Sequence, residues 1–285
     1  MQFFSKALSS AFVFFSLSIL SAPVFSADLL ASACPPPANP QSVASRYVYD
    51  GDTLQLEDGR KIRLIGINTP ELGRDGQSDQ PLAQQATAAT RRLLEKQQQG
   101  QKQGQQPLLL QLGSQPQDHY GRTLGHIFLA DGRSLAAELL RQGLGFALSI
   151  PPNLALRDCL RQAEQAARLA NLGVWAEPYY RPQHASSLNS LSGGFGRYTG
   201  EISRAGTTAK GNYLELNGKI FIPIRTGTPT GLDRFSSDAL LGRRIEVRGW
   251  LIAIKPRKNN QQRKFMAFRL TIKHADNLSL CDPDC

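Results

Sequence analysis

The sequence predicts a mainly β, α+β chain in two units, and three observations carry that prediction. An apolar-alternating hairpin spans Asp50–Glu71, amphipathic helical stretches fill the middle, and the last third reads as short strands with one short helix. Strands show an apolar period of two and helices apolar residues three and four apart. At 285 residues the chain is long enough for two modest cores.

Residues 1–27 read as an export signal: Lys6, an apolar run from Ala7 to Leu20, then small residues around Ser26. The run is shorter than the ~20 residues a membrane span needs. An uncleaved anchor is the alternative; otherwise the mature chain has no span and is periplasmic or secreted. Residues 28–45, rich in Ala, Pro and Ser, read as a flexible lead-in. All four cysteines follow the signal, an even number in an exported chain. A Cys281–Cys285 ring would leave Cys34 to reach Cys159; free buried thiols are the alternative. Leu30–Cys34 also raises lipidation of Cys34, although Ala31 stands where a larger aliphatic is usual. No cysteine spacing suggests zinc.

The hairpin is two strands joined at Asp58-Gly59, where both residues tolerate positive φ. A two-residue turn sets Arg63 opposite Leu54 and diagonal to Asp52, roughly 7–8 Å away; a one-residue bulge would shift that register. One end of the hairpin then gathers Asp52, Arg63, Asn68, the Thr69 carbonyl and Glu71. Carboxylates, an amide oxygen and a carbonyl suit a hard cation such as calcium. A guanidinium beside them suits a bidentate grip on phosphate. Metal, phosphate clamp and spare carboxylate base are what phosphodiester hydrolysis needs.

Glu71–Gln80 is a polar loop of the kind that rims active sites. A helix starts after Pro81 and runs to Leu94, and Gln97–Gln106 reads as a disordered insertion. Strands follow at Leu108–Leu110 and Thr123–Ala130. Ser134 caps a helix that Gly143 stops. A longer helix over Leu154–Ala170 carries an apolar stripe of Leu156, Cys159, Leu160, Ala163 and Ala167. The first domain closes at 177, and a linker of Pro, Ser and Gly fills 178–194.

Residues 195–285 alternate as strands at about Gly196–Arg204, Asn212–Leu216, Lys219–Ile224, Arg243–Ile254 and Lys264–His274, with a helical piece near Ser236–Leu241. Asn217-Gly218 gives a second hairpin signal. Three strands, a helix and two strands is the order of an OB-like barrel, a common nucleic-acid platform; an unspecific small β-domain reads equally well.

Charge divides unevenly. The formal net charge is +10, with 16 basic against 15 acidic residues over 28–194 and 16 against 8 over 195–285. An anionic partner follows, and the basic excess belongs to the C-terminal third. Its candidates for phosphate contact are Arg243, Arg244, Arg248, Lys255, Arg257 and Lys258, interleaved with Trp250, Phe265 and Phe268. A solvated basic face is the bland alternative.

A second motif, Asp118-His119-Tyr120-Gly121-Arg122, delivers Tyr120 and Arg122 just before a strand. Taken with Asp50-Gly51-Asp52-Thr53 and Thr69-Pro70-Glu71, it makes residues 46–175 resemble the staphylococcal-nuclease-like (thermonuclease) family. The resemblance implies an OB-type five-stranded barrel with about three helices in the first domain. It also implies a calcium-dependent endonuclease that cleaves DNA and RNA with little sequence preference, leaving 3′-phosphate ends; a monomer is expected. Carried over residue by residue, Asp52, Asn68 and Thr69 would hold one calcium ion. Glu71 would deprotonate the attacking water, and Arg63 and Arg122 would neutralise the phosphate. Tyr120 and His119 would contact the neighbouring substrate. Asn68 stands where most members have Asp, so one negative charge fewer faces the metal. His119 replaces a usual Lys. Ser149, Ile150 and Pro151 occupy the segment where tyrosines wall the base site, so base stacking there is lost. A nuclease-like binder that barely cuts is the competing function.

Overall fold

The computed structural model describes residues 34–36, 38–101, 107–209, 211–225, 231, 237–254 and 267–281. The expected export signal, Lys255, Arg257 and Lys258 lie outside these residues.

The first unit contains β1 (Gln41–Val43), β2 (Ser45–Asp50), β3 (Thr53–Leu56), β4 (Lys61–Leu64), β5 (Ile67–Asn68) and helix α1 (Ala83–Gln101). It continues through β6 (Leu108–Gln117), β7 (Thr123–Phe128), α2 (Leu135–Arg141), β8 (Phe146–Ala147) and α3 (Arg157–Leu169). Its main sheet has the order β1-β6-β7-β4-β3-β2, while β5 and β8 pair separately. Omitting the edge strand β1, this is the strand order of an OB-type barrel, with β4 and β7 as the parallel pair. The α+β fold with a five-stranded barrel and three helices therefore stands.

The core follows from alternation. Leu54, Leu56, Ile62 and Leu64 point inward from the hairpin and meet Leu108, Leu110, Ile127 and Phe128. Ser134 accepts from the Ala137 N–H at the start of α2, and Gly143 ends that segment at φ +68°. His126 is buried on β7 and its Nδ1 has no hydrogen-bond partner among the described residues. Burial pushes its pKa down to about 4, so it stays neutral.

Three expectations change. The lead-in is tethered where described: Gln41–Val43 pairs with Leu108–Leu110, and Cys34 is disulfide-bonded to Cys159. Cys281 is also disulfide-bonded, to a partner outside the described residues. Helix α1 continues into the Gln-rich run as far as Gln101, because Gln and Lys are good helix formers. The hairpin loop has three residues: the Leu56 N–H donates to the Arg60 carbonyl, Asp58 Oδ1 accepts from the Arg60 N–H, and Gly59 sits at φ +88°.

The second unit contains β9 (Gln183–His184), β10 (Gly194–Thr208), β11 (Gly211–Leu216), β12 (Ile220–Arg225), α4 (Ser237–Leu240), β13 (Arg244–Ala253), β14 (Phe268–Leu270) and β15 (Leu278–Leu280). The sheet runs β15-β13-β14-β12-β11-β10-β9, and an added β13–β10 pairing closes β10-β11-β12-β14-β13 into a ring. β12 and β14 are its parallel pair. Of the two readings left open by the sequence, the OB-like barrel is the one observed. The 178–194 stretch is ordered by two 3₁₀ turns and by β9, which pairs with β10; it is not a free tether.

Candidate active site

The β3–β4 hairpin brings the charges together. With a three-residue loop, Arg63 pairs with Thr53 instead of Leu54 and moves one step toward Asp52. The distance from Arg63 Nη2 to Asp52 Oδ2 is 3.1 Å. Asp52 is 1 % exposed. Its Oδ2 also accepts from the Thr69 N–H at 2.8 Å, and its Oδ1 accepts from the Thr53 hydroxyl. The Asp50-Gly51-Asp52 turn is clamped from α1, where the Thr90 hydroxyl donates to the Gly51 carbonyl. A Cβ at Gly51 would lie 2.8 Å from both Ala86 Cβ and Thr69 Oγ1, so only glycine lets the Thr69 segment and α1 close over the turn.

Arg63 is more committed than the sequence implied. Nη1 donates to the Leu64 and Ile67 carbonyls, and Nη2 donates to Asn68 Oδ1 besides pairing with Asp52. Four of the five donors of a guanidinium thus face protein oxygens, which leaves Nε rather than a free fork. The open guanidinium is that of Arg122. Its Nε donates to Asp118 Oδ2 at 2.7 Å, and its backbone N–H donates to Asp118 Oδ1. Asp118 therefore closes the loop and aims Arg122 at the start of β7. Tyr120, 73 % exposed, carries the His119 ring against its own at 3.7 Å between centroids, and Arg122 lies 5.5 Å from it.

Glu71 lies within electrostatic reach of Asp52, Arg63, Arg74 and Arg122. Burial and then the Asp52 charge raise its pKa, and the three arginines oppose that rise. A carboxylate lifted toward neutrality is a better proton acceptor at physiological pH. The structure adds two residues that the sequence reading passed over. Asp50 is buried, its pKa pushed up to about 7 by burial and then by the charges of Asp52 and Glu71. Arg74 reaches Asp50 Oδ2 at 3.5 Å. The doubled carboxylate in Asp-Gly-Asp was the signal for Asp50; nothing in the polar loop singled out Arg74.

A hard cation fits this end of the barrel. Asp52, the Asn68 amide and the Thr69 carbonyl offer oxygens only, and Thr69 Oγ1 is buried with no hydrogen-bond partner among the described residues. Asp50, Asp52 and Glu71 stand together there, with Arg63 paired to Asp52 and Arg74 to Asp50. Among the described residues, however, no three His, Cys, Asp or Glu side chains stand ready as a metal cluster. Asn68 Oδ1 is also held by Arg63.

Of the second unit's basic candidates that are described, one is taken up elsewhere. Arg248 is buried: its Nη1 donates to the Ala147 carbonyl and to Glu164 Oε1 at 2.7 Å. It is a bolt between the units, not a phosphate contact, because Glu164 neutralises it out of solvent. Arg244 is exposed at the start of β13, and Arg243 is half-buried.

Paired carboxylates, opposed guanidiniums and an all-oxygen donor set at one end of an OB-type barrel define a phosphoryl-transfer site. The family model described as staphylococcal nuclease homologue matches residues 61–177. The chain is 32% identical over 138 residues to a thermonuclease of Staphylococcus intermedius, covering 47% of this chain and 76% of that one. It is 31% identical over 143 residues to a thermonuclease of Staphylococcus hyicus, covering 49% and 78%. The chain belongs to the staphylococcal nuclease family and is a nuclease, a phosphodiester hydrolase.

Proposed function

We propose that the protein is an exported, calcium-dependent endonuclease that hydrolyses DNA and RNA with little sequence preference and leaves 3′-phosphate ends. The observation that carries this is the placing of Glu71 within reach of Asp52 and of three arginines. In this reading Glu71 takes a proton from the water that attacks phosphorus. Arg122, with open donors, binds the non-bridging oxygens, and Arg63 adds its charge and Nε. The water oxygen bonds to phosphorus as the bond from phosphorus to the 5′ oxygen breaks; that oxygen takes a proton from solvent and leaves as a hydroxyl, and the phosphate stays on the 3′ side. Asp52, Asn68 and Thr69 would hold the calcium ion, with Asp50 behind Asp52. Bound there, the ion would supply Lewis-acid stabilisation of charge on the phosphate. Tyr120 and His119 would rest against the adjoining sugar or phosphate, and Arg243 and Arg244 would add long-range attraction. Export agrees with the Cys34–Cys159 disulfide, since such bonds persist in oxidising compartments. Among the described residues no helix is long and apolar enough to cross a membrane.

The competing reading, a monomeric binder with little turnover, draws on one bond. Arg63 occupies the Asn68 oxygen that would face the metal. Incubation of the purified chain with plasmid and with RNA, in calcium or in chelator, separates the two. Degradation that depends on calcium and yields 3′-phosphate ends is expected; a retained mobility shift without cleavage would establish the binder.

A further inference from the structure

A run of aromatic rings crosses from the first barrel to the second. Centroid separations are 4.9 Å from Tyr179 to Tyr180, 5.6 Å from Tyr180 to Phe146, 5.6 Å from Phe146 to Phe195, and 5.0 Å from Phe195 to Trp250. The inner rings seal the junction between the units. The two ends do not: Tyr179 is 56 % exposed and Trp250 40 %. Beside Tyr179 opens a cleft of about 280 Å³, lined also by Phe146, Phe195 and Arg181. That is near the ~300 Å³ lower end of ligand pockets.

The charge of the cleft is one-sided. Two arginines and no acid line it among the described residues. Arg197 is buried and tied to Glu246 by two 2.7 Å bonds. Arg181 is exposed, and no side-chain bond ties it down among the described residues. The nearby Glu177 turns its carboxylate to the Tyr179 N–H. Phe146, which lines the cleft, pairs across β5 and β8 with Asn68, so the cleft and the candidate active site share that strand pair.

We propose that this cleft holds unpaired bases of a single-stranded nucleic acid whose scissile phosphate lies between Glu71 and Arg122. The inference rests on the nuclease reading above and names the form of substrate that site receives. An exposed ring such as Tyr179 accepts the face of any base, which is why stacking platforms tolerate sequence, and Arg181 can bind the adjoining phosphate. Duplex bases have both faces covered by their neighbours and cannot enter. A sealed apolar joint would explain Phe146 and Tyr180, but not exposed rings at both ends or an unpaired arginine. Neither the linker nor the second barrel falls within the residues matched by the family model beyond 177, so the cleft is built largely from what this chain adds.

Equilibrium binding tests it on the full chain, in chelator so that nothing is cut. The probes are fluorescent oligo-dT and oligo-rU of about 12 nucleotides, within the site sizes of OB-type binders, and a duplex of equal length. Loss of one stacked base and one phosphate contact should weaken both single strands at least ~10-fold in a Tyr179→Ala, Arg181→Ala variant, with the duplex unchanged within ~2-fold. Tyr179→Trp, which keeps a ring, should bind like the parent and controls for any folding defect. Single-strand affinity unchanged in the double variant, or lost equally for duplex, would overturn the proposal. Hydrolysis of a dinucleotide in calcium, too short to reach the cleft, should be unaffected. If the parent binds single strands through Tyr179 yet cuts nothing, the nuclease reading fails and the cleft stands.

Discussion

The two barrels share a strand order and a parallel pair, β4 with β7 in the first and β12 with β14 in the second, yet they bury charge for different ends. In the first, Asp50, Asp52, Asn68 and Thr69 are buried at one end of the hairpin with Arg63 across from them. In the second, buried Arg197 and Glu246 neutralise each other bidentately on neighbouring strands. The turn between its first two strands, Thr208–Gly211, carries no carboxylate where the first barrel has Asp50-Gly51-Asp52. Topology supplies the platform, and chemistry enters only where like charges are held together without full compensation. The raised pKa values of Asp50 and Glu71 mark that imbalance, and the lowered pKa of Glu246, held down chiefly by Arg197 against its burial, marks its absence.

Glu71→Gln breaks the contrast most severely. It removes the base while keeping size, and kcat should fall by ~10²–10⁴. In the parent, Glu71 must be ionised to act, and its pKa is raised, so activity should decline as pH falls through that raised value. The residual activity of the variant should lose this acid limb. A pH–rate profile unchanged in shape by the substitution would remove Glu71 from the chemistry.

Arg248→Ala sharpens the other side. It strands Glu164 and the Ala147 carbonyl at the junction. Breaking a buried pair from one side costs about 3–5 kcal/mol; the exposure of both partners, near a tenth, places this one at the lower end. Denaturant unfolding should show that loss, with substrate affinity falling only as far as the junction loosens. A specific loss of phosphate binding at unchanged stability would return Arg248 to the substrate.

Much of this was legible in the sequence because it is local. Asp58-Gly59 and Asn217-Gly218 announce hairpins, and Asn217 and Gly218 do take positive φ. Ser134 and Gly143 bound α2, and the strand and helix order of 195–285 admits the second barrel alongside an unspecific β-domain. Register was harder. Asp58 turned its own side chain to the Arg60 N–H, which lengthened the loop by one residue and brought Arg63 closer to Asp52. Beyond the Cys34–Cys159 pairing, partners far apart in the chain were not legible. Nothing around Arg248 reveals Glu164, 84 residues away, and the composition of 178–194 reads as a tether although β9 and the buried Tyr180 dock it. Arg74 needed the fold to bring it to Asp50.

The most direct test of the contrast compares one arginine from each barrel on one substrate. The kcat of Arg122→Ala and of Arg244→Ala is measured in calcium on the same single-stranded DNA. Arg122→Ala should lose ~10²–10³, as for any lost transition-state donor, while Arg244→Ala changes kcat less than ~3-fold and only weakens salt-dependent binding. Comparable losses for both, or none for Arg122→Ala, would contradict a phosphate site confined to the first barrel.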